Sequence, residues 1–254
     1  MLKKFFKFML IIVTASTVKE AAGSSANPSD VHSFSICGSE DRTLSFNPSV
    51  GRLRKTKRGF LFCTATLIGK ACAVSAGHCA PVMQQLGFDI KVEENKFNYA
   101  TKENLYTVDK ESRVIKSKGK GADWAVFRLK PNKYTKKLPG EVRPFYKVSK
   151  THPEIGSQVE VFGYGGADNL YSYSQQMGPG VLLKIQESYV EHTSDTKGGS
   201  SGAPIIDPET GEIFGIHTHG NCKQGWNSGT YIAGVPEFSK AISECLDWEK
   251  QNLP

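Results

Sequence analysis

The sequence has no run of apolar residues long enough to cross a membrane as a helix. Such a helix needs about 20 consecutive apolar residues, whereas the apolar stretch near the amino terminus covers only residues 8–13. Lys3, Lys4 and Lys7 precede this stretch, and small residues follow it. This is the pattern of a secretory signal peptide, so we expect residues 1–23 to be removed and the protein to be secreted, extracellular or, in a host with an outer membrane, periplasmic.

Two signal-peptide cleavage sites fit this pattern, one after Ala15 and one after Gly23. A short membrane anchor is the less favoured alternative, because the apolar run is too short, and we expect no stable membrane association. The small, polar residues 24–34 come next and predict a short propeptide or a frayed end.

The sequence also lacks a strong excess of one charge. It has 32 Lys and Arg against 25 Asp and Glu, a formal net charge of +7, and loss of four lysines and one glutamate with residues 1–23 would leave +4. Basic residues cluster at 52–58 without interleaved aromatics, which favours a solvated hairpin over a phosphate-binding patch. We therefore expect no nucleic-acid partner.

None of the cysteines has the CxxC spacing of a metal or redox site. All six lie beyond the signal segment, at Cys37, Cys63, Cys72, Cys79, Cys222 and Cys245. An even number of cysteines in an exported chain predicts disulfides, although six cysteines allow 15 pairings.

Long helical patterns are also missing from most of the 254 residues, which are enough for one large β domain or two half-barrels. Short apolar or alternating runs recur between clusters of Gly, Asn, Lys and Pro, which predicts a barrel or sandwich of antiparallel strands. Residues 130–143 are rich in Pro and Lys and read as a link between two halves. Apolar residues from Phe238 to Leu246 repeat at helical spacing, so a terminal amphipathic helix should pack on the β structure.

One glycine-rich stretch, residues 195–204, has the composition of a turn that presents a nucleophilic serine. A serine hydroxyl needs an adjacent base and backbone N–H groups that hold the developing oxyanion. Gly199 and Gly202 flank two serines and permit a sharp turn of the backbone. Taken alone, this stretch fits an ordinary Gly/Ser surface loop equally well.

Two further stretches favour the catalytic interpretation. His78 lies in the sequence SAGHC, and Asp123 begins the apolar run DWAVF, where it could orient the imidazole. Their separation of 45 positions, and the order His, Asp, Ser, are those of the chymotrypsin template.

With these motifs the chain resembles the trypsin-like serine proteases, and within them the bacterial glutamyl endopeptidases. The resemblance runs from about Ser35 to the end and is carried by SICGSEDR (35–42), CTATLIG (63–69), SAGHC (75–79), DWA (123–125), GGSSGAP (198–204) and GIHTHG (215–220). It implies an all-β fold of two six-stranded antiparallel β-barrels with a C-terminal α-helix. It also implies a monomeric serine endopeptidase that acts on proteins or peptides and needs no cofactor and no metal.

The resemblance assigns roles residue by residue. It makes Ser201 the nucleophile, with Ser200 as the less favoured rival, and His78 the general base. Asp123 orients His78, and Asp109 is a poorer candidate because it lies among charged residues. The oxyanion donors are the backbone N–H groups of Gly199 and Ser201.

Substrate selection depends on the residues that line the pocket. In glutamyl endopeptidases a His at the position of His217 and a Thr at that of Thr196 donate hydrogen bonds to a substrate carboxylate, which implies cleavage after Glu. Thr218 matches a position whose hydroxyl supports the triad acid. Asp195 lies where trypsin carries the acid that binds Lys or Arg, so trypsin-like specificity stays open. A catalytically inactive homologue that binds proteins is the alternative from another class.

The resemblance also implies a Cys63–Cys79 disulfide and a mature amino terminus at Ser35, cut from a zymogen. If the fold holds, Cys37 could reach Cys222, which would leave Cys72 to pair with Cys245. The expected limits are about 35–130 for the first barrel and 144–254 for the second barrel and the helix. The remaining histidines carry no motif and are expected in surface or loop positions: His32, His152 and His192.

Overall fold

A computed structural model describes residues 35–55, 61–90, 92, 98–166 and 173–253. The predicted signal peptide and propeptide lie outside these residues. Thirteen strands and one α-helix follow one another in this part of the chain. None of its helices is both long enough and apolar enough to cross a membrane.

The first barrel is built from six antiparallel strands that close on themselves in the order β2-β3-β4-β7-β6-β5. These strands are β2 (Val50–Arg54), β3 (Phe62–Leu67), β4 (Cys72–Ser75), β5 (Gln85–Gly87), β6 (Leu105–Ser117) and β7 (Asp123–Leu129). The run that begins at Asp123 is apolar on both faces because both faces are covered. Ala125 and Phe127 fill the barrel interior, while Trp124 and Val126 point outward into a second cluster.

The second barrel also has six antiparallel strands, and pairing of its first two strands closes it. They are β8 (Gln158–Gly163), β9 (Gln176–Ile185), β10 (Tyr189–His192), β11 (Pro204–Asp207), β12 (Glu212–His219) and β13 (Asn227–Tyr231). The two closed barrels confirm the predicted fold. As expected from the turn at 207–211, β11 forms a hairpin with β12 and brings the strand that carries His217 back beside the serine loop.

The amino-terminal segment belongs to the second barrel, which corrects the expected boundary. The short strand β1 (Thr43–Leu44) pairs with β9, so residues 35–44 cross to the barrel that is built from the end of the chain. The first barrel begins only at Val50.

The α-helix of the described residues, α1 (Pro236–Asn252), packs against the first barrel although it follows the second in sequence. Phe238 stacks on Trp124 with ring centroids 4.9 Å apart. The buried carboxylate of Glu249 accepts the backbone N–H groups of Lys70, Ala71 and Cys72 at 2.9, 2.6 and 2.7 Å. The helix therefore fixes the start of β4, the strand that leads to His78.

Three disulfides use all six cysteines. They join Cys37 to Cys222, Cys63 to Cys79 and Cys72 to Cys245. All three predicted pairings are confirmed. Two of them join residues 173 and 185 positions apart, and they fasten α1 and the segment around Cys37 to the barrels.

Candidate active site

The imidazole of His78 and the carboxylate of Asp123 meet between the barrels. His78 lies in a short 3-10 turn, Gly77–Val82, directly after β4, and Asp123 is the first residue of β7. One carboxylate oxygen of Asp123 accepts the backbone N–H of His78 at 2.8 Å, and the other lies 2.6 Å from its Nδ1. A carboxylate can only accept here, so Nδ1 carries the proton and Nε2 is the basic nitrogen.

The two members of this pair differ in exposure. The Asp123 side chain is 2% exposed and that of His78 is 40% exposed. The acid is therefore fixed inside the protein, while the imidazole can meet a molecule that arrives from solvent. Asp109, the poorer candidate for the orienting acid, is engaged instead with Arg128 and Lys130, each at 3.5 Å.

The serine loop is held by both barrels. The carbonyl of Ser201 accepts the N–H of Thr64 on β3 at 2.9 Å and lies 3.7 Å from the sulfur of Cys79, the residue after His78. The next N–H, that of Gly202, donates to the carbonyl of His217 on β12 at 2.8 Å. Ser201 therefore lies where the two barrels meet, as the imidazole does.

The glycines of this loop are required by its backbone. Gly199 and Gly202 have φ angles of +108° and +86°, which residues with a side chain rarely adopt. A Cβ on Gly202 would also clash with the Thr64 carbonyl. The sharp turn predicted from sequence is thus present.

Within residues 199–203, two backbone N–H groups have no acceptor among the described residues. Those of Ser200, Gly202 and Ala203 donate to backbone carbonyls, whereas those of Gly199 and Ser201 do not. These two are the donors predicted from the sequence to hold an oxyanion. The hydroxyl of Ser200, the rival nucleophile, is directed elsewhere, since it accepts the N–H of Lys197 at 3.4 Å and its residue is 4% exposed.

The two predicted pocket residues are almost fully buried. His217 and Thr196 are 4% and 1% exposed. Asn227, which the sequence gave no reason to single out, links the parts of this region. Its side-chain NH₂ lies 2.8, 2.9 and 3.3 Å from the Ser35 carbonyl, the Ser194 carbonyl and the Thr196 hydroxyl.

Thr218 makes its contacts within the second barrel. Its hydroxyl donates to the carbonyl of Ser228 at 3.4 Å and lies 2.8 Å from Nδ1 of His219. The backbone carbonyl of Asp123 is supported by a different hydroxyl, that of Thr230, at 2.9 Å. The ring centroids of His219 and His78 lie 6.3 Å apart, so Thr218 contacts the catalytic region through His219.

Asp195, the possible acid of a trypsin-like pocket, binds the amino-terminal segment. Its two oxygens accept the N–H groups of Cys37 and Asp41, at 2.6 and 3.2 Å. Burial raises the pKa of Asp195 to about 6, although these two N–H groups lower it. The carboxylate thus anchors the segment that the Cys37–Cys222 disulfide also holds.

His192 was expected at the surface, and the structure shows that this prediction is wrong. It ends β10, is fully buried, and lies with its Nε2 3.4 Å from Nδ1 of His217. Burial lowers the pKa of His192 to about 3. Burial also lowers the pKa of His217 well below its usual range, with smaller contributions from three neighbouring imidazoles. Only the pairing of β10 with its neighbouring strands reveals this contact.

Cys63, His78 and Cys79 place potential metal-ligand atoms within 4.8 Å of one another. The two sulfurs are joined in a disulfide, so neither is a thiolate that could bind a metal ion. This cluster instead fixes the turn that carries the imidazole.

Comparisons with known proteins find glutamyl endopeptidases among the similar sequences. The chain is 29% identical over 111 residues to a glutamyl endopeptidase of Staphylococcus epidermidis, an alignment that spans 44% of this chain and 38% of that protein. It is 24% identical over 233 residues to a glutamyl endopeptidase of Bacillus licheniformis, which covers 85% of this chain and 69% of that protein.

Solved structures share the fold. A Glu endopeptidase in complex with MPD superposes with a TM-score of 0.64 at 18% identity, covering 84% of this chain and 99% of that one. A thermostable serine protease, AL20, from an extremophilic microorganism has a TM-score of 0.59 at 14% identity, covering 81% and 98%. The model of the trypsin family matches residues 35–242. The chain therefore belongs to the trypsin family.

Proposed function

We propose that this protein is a serine endopeptidase. The observation that carries the proposal is the double contact of Asp123 with the backbone and the ring of His78, beside a serine loop held by both barrels. This arrangement supplies a base with a fixed tautomer, a candidate nucleophile and two unpaired N–H groups.

The reaction that fits these groups is acyl transfer through an ester. The Ser201 oxygen attacks the carbonyl carbon of the scissile bond while Nε2 of His78 takes its proton. The N–H groups of Gly199 and Ser201 hold the oxyanion, and Asp123 stabilises the imidazolium. His78 then protonates the leaving amine, and a water molecule, deprotonated by His78, hydrolyses the ester and restores Ser201.

We propose Glu as the residue before the scissile bond. Buried hydroxyl and neutral imidazole groups, at Thr196 and His217, offer donors that suit a carboxylate. A pocket for Lys or Arg needs an available buried acid. Asp195 is the candidate for that acid, and backbone N–H groups already occupy both of its oxygens. This disfavours the trypsin-like alternative. The names of the similar proteins from S. epidermidis and B. licheniformis agree with the proposal.

A fluorophosphonate probe separates an active peptidase from an inactive protein-binding homologue. We expect the processed protein to be labelled, Ser201→Ala to lose labelling, and the matched control Ser200→Ala to keep it. Absence of labelling in a processed sample would favour the inactive homologue. Labelling that persists in Ser201→Ala would show that another residue is the nucleophile.

A mixed peptide library tests the specificity. Cleavage after Glu is expected, and His217→Ala should lower kcat/KM for Glu peptides by about 10- to 100-fold, the effect of one hydrogen bond to a charged group. The rate of fluorophosphonate labelling should change much less. Cleavage after Lys or Arg, or an unchanged Glu preference in His217→Ala, would contradict the pocket assignment.

We also propose secretion, and maturation by a cut before Ser35. The carbonyl of Ser35 accepts the N–H of Thr196 at 3.0 Å, so the proposed new terminus lies beside the pocket. Amino-terminal sequencing of the protein recovered outside the cell tests this. A mature protein that begins at Ser24 would exclude a separate propeptide.

A further inference from the structure

The amino-terminal segment, residues 37–42, runs along the serine loop. Besides the two N–H groups that Asp195 accepts, a carboxylate oxygen of Glu40 lies 3.5 Å from Nζ of Lys197. The last residue of the segment, Arg42, has a side chain that is only 4% exposed although it is charged. Burial of a charge is costly unless the group is paired and hydrogen-bonded, so the contacts of Arg42 must be close and well directed.

Arg42 makes two kinds of contact. Its Nε and Nη2 lie 2.6 and 2.7 Å from the two carboxylate oxygens of Glu40, the bidentate geometry of a strong arginine–carboxylate pair. Nη2 also donates to the backbone carbonyl of Gly166 at 3.2 Å. Glu40 therefore fixes the guanidinium, and the guanidinium fixes the backbone at Gly166.

The guanidinium lies directly against the serine loop. A Cβ on Gly165 would stand 2.5 Å from Nη1 of Arg42 and 2.8 Å from the hydroxyl of Ser200. Only a residue without a side chain leaves room for both groups at this place.

Gly166 connects Arg42 to the proposed oxyanion hole. Its N–H donates to the carbonyl of Gly198 at 3.0 Å. That carbonyl and the N–H of Gly199 belong to one planar, trans peptide group, so they point in opposite directions. Because the carbonyl is held towards Gly166, the N–H of Gly199 points away from it and is left for the oxyanion.

This peptide group is easy to reverse. Neither Gly198 nor Gly199 has a Cβ that would resist a half-turn of the peptide between them. A reversed peptide would replace the N–H donor by the carbonyl oxygen of Gly198, whose partial negative charge would repel the oxyanion. The hydrogen bond from Gly166 opposes that reversal.

We propose that Arg42 is a positioning residue for the oxyanion hole. Held by Glu40, it keeps the backbone at Gly166 in place. Gly166 in turn holds the Gly198–Gly199 peptide in the orientation that offers its N–H to the oxyanion. The proposal rests on the proposed serine endopeptidase activity, but not on which residue is preferred before the scissile bond.

The test compares Arg42→Met with the matched control Arg143→Met. Arg143 is also a buried arginine, 5% exposed and 2.9 Å from Asp89, and its hydrogen bonds go to residues 48, 89 and 104, none of them in the serine loop. Both variants are assayed at a temperature at which calorimetry shows them folded.

Arg42→Met should lower kcat for a Glu peptide, and the rate of fluorophosphonate labelling, by about 10- to 100-fold. KM should change little, because the donor acts mainly on the transition state. Arg143→Met should stay near the parent in both rates. Parental rates in Arg42→Met would overturn the proposal. An equal loss in Arg143→Met would also overturn it, since the effect would then be that of removing any buried charge.

Glu40→Gln tests the same proposal with a milder change, which keeps it testable if Arg42→Met does not fold. The side chain of Glu40 is 35% exposed, and the substitution keeps its shape but removes the charge that holds Arg42. We expect labelling to be about 3- to 10-fold slower, the effect of weakening one hydrogen bond. An unchanged rate would overturn the proposal, because this pair is what holds Arg42.

Crystal structures of the parent and of Arg42→Met show the peptide directly. We expect the Gly198 carbonyl to point towards Gly166 in the parent, and to be reversed or mixed in the variant. If the parent is not labelled, the proposed function is wrong, and these structures still decide whether Arg42 orients the peptide. If the parent is labelled and the peptide is the same in both structures, only the role of Arg42 is wrong.

Discussion

The carboxylate of Glu249 is a buried anchor whose loss should destabilise the whole protein. Glu249 lies near the end of α1, is 9% exposed, and accepts three backbone N–H groups from the turn before β4. Replacement by alanine leaves these donors without a partner. Water can reach the half-buried Lys70, but Ala71 and Cys72 are almost fully buried, at 1% and 0% exposed.

The expected magnitude follows from these two buried donors. Each unsatisfied buried N–H costs about 1–3 kcal/mol, so Glu249→Ala should lower the free energy of unfolding by about 3 kcal/mol once partial relaxation is allowed for. For a chain of this size that corresponds to a Tm lower by about 6–12 °C. Glu249→Gln keeps one accepting oxygen and should lose about half as much.

Differential scanning calorimetry of the oxidised protein measures this effect. The matched control is Glu244→Gln, on the same helix, whose side chain is 63% exposed and pairs with Lys240 at 3.7 Å. Such an exposed pair contributes about 0–1 kcal/mol, so the control should hardly move Tm. If Glu249→Ala moved Tm no more than this control, the three short bonds would not be an anchor and the reasoning would be refuted.

Three further predictions concern the site. Asp123→Asn should lower kcat by about 10⁴ with little change in KM, because an amide does not hold the Nδ1–H tautomer of His78. Steady-state kinetics on a Glu peptide measure this, and a loss in kcat below about tenfold would contradict the role of Asp123. Gly202→Ala should abolish fluorophosphonate labelling, because its Cβ would clash with the Thr64 carbonyl at a φ of +86°; a labelled variant would refute the strained turn. Folding raises the pKa of Asp195 from 3.8 to about 6, so its contribution to stability is fully present below pH 4 and is lost as pH rises through 6. In urea titrations, the unfolding free energy of the parent minus that of Asp195→Asn should therefore be about 1–2 kcal/mol smaller at pH 7 than at pH 4. If this difference were larger at pH 7, the N–H groups of Cys37 and Asp41 would outweigh burial in setting the pKa of Asp195.

Much of the fold could be predicted from the sequence because its signals are local. Strand-length apolar runs separated by Gly, Asn and Pro indicate antiparallel β structure. The serine loop is recognisable because its backbone demands glycine at positive φ, at Gly199 and Gly202. The order and spacing of His78, Asp123 and the serine loop, with the family resemblance, indicated the pair whose contact the structure shows. The resemblance led to the Cys63–Cys79 disulfide, and the expected fold led to Cys37–Cys222 and left Cys72 to pair with Cys245.

Tertiary structure decided what depends on partners far away in sequence. Asp195 looked like the acid of a pocket, and only its contact with the N–H of Cys37, 158 residues earlier, shows that it is an anchor. His192 carries no motif, and it is buried because β10 lies between β9 and β13. The sequence around Glu249 suggests a solvent-exposed side chain, whereas its carboxylate accepts backbone N–H groups about 178 residues away. Side-chain periodicity reports which face of a strand or helix is covered, whereas the identity of the covering group depends on strand order and register.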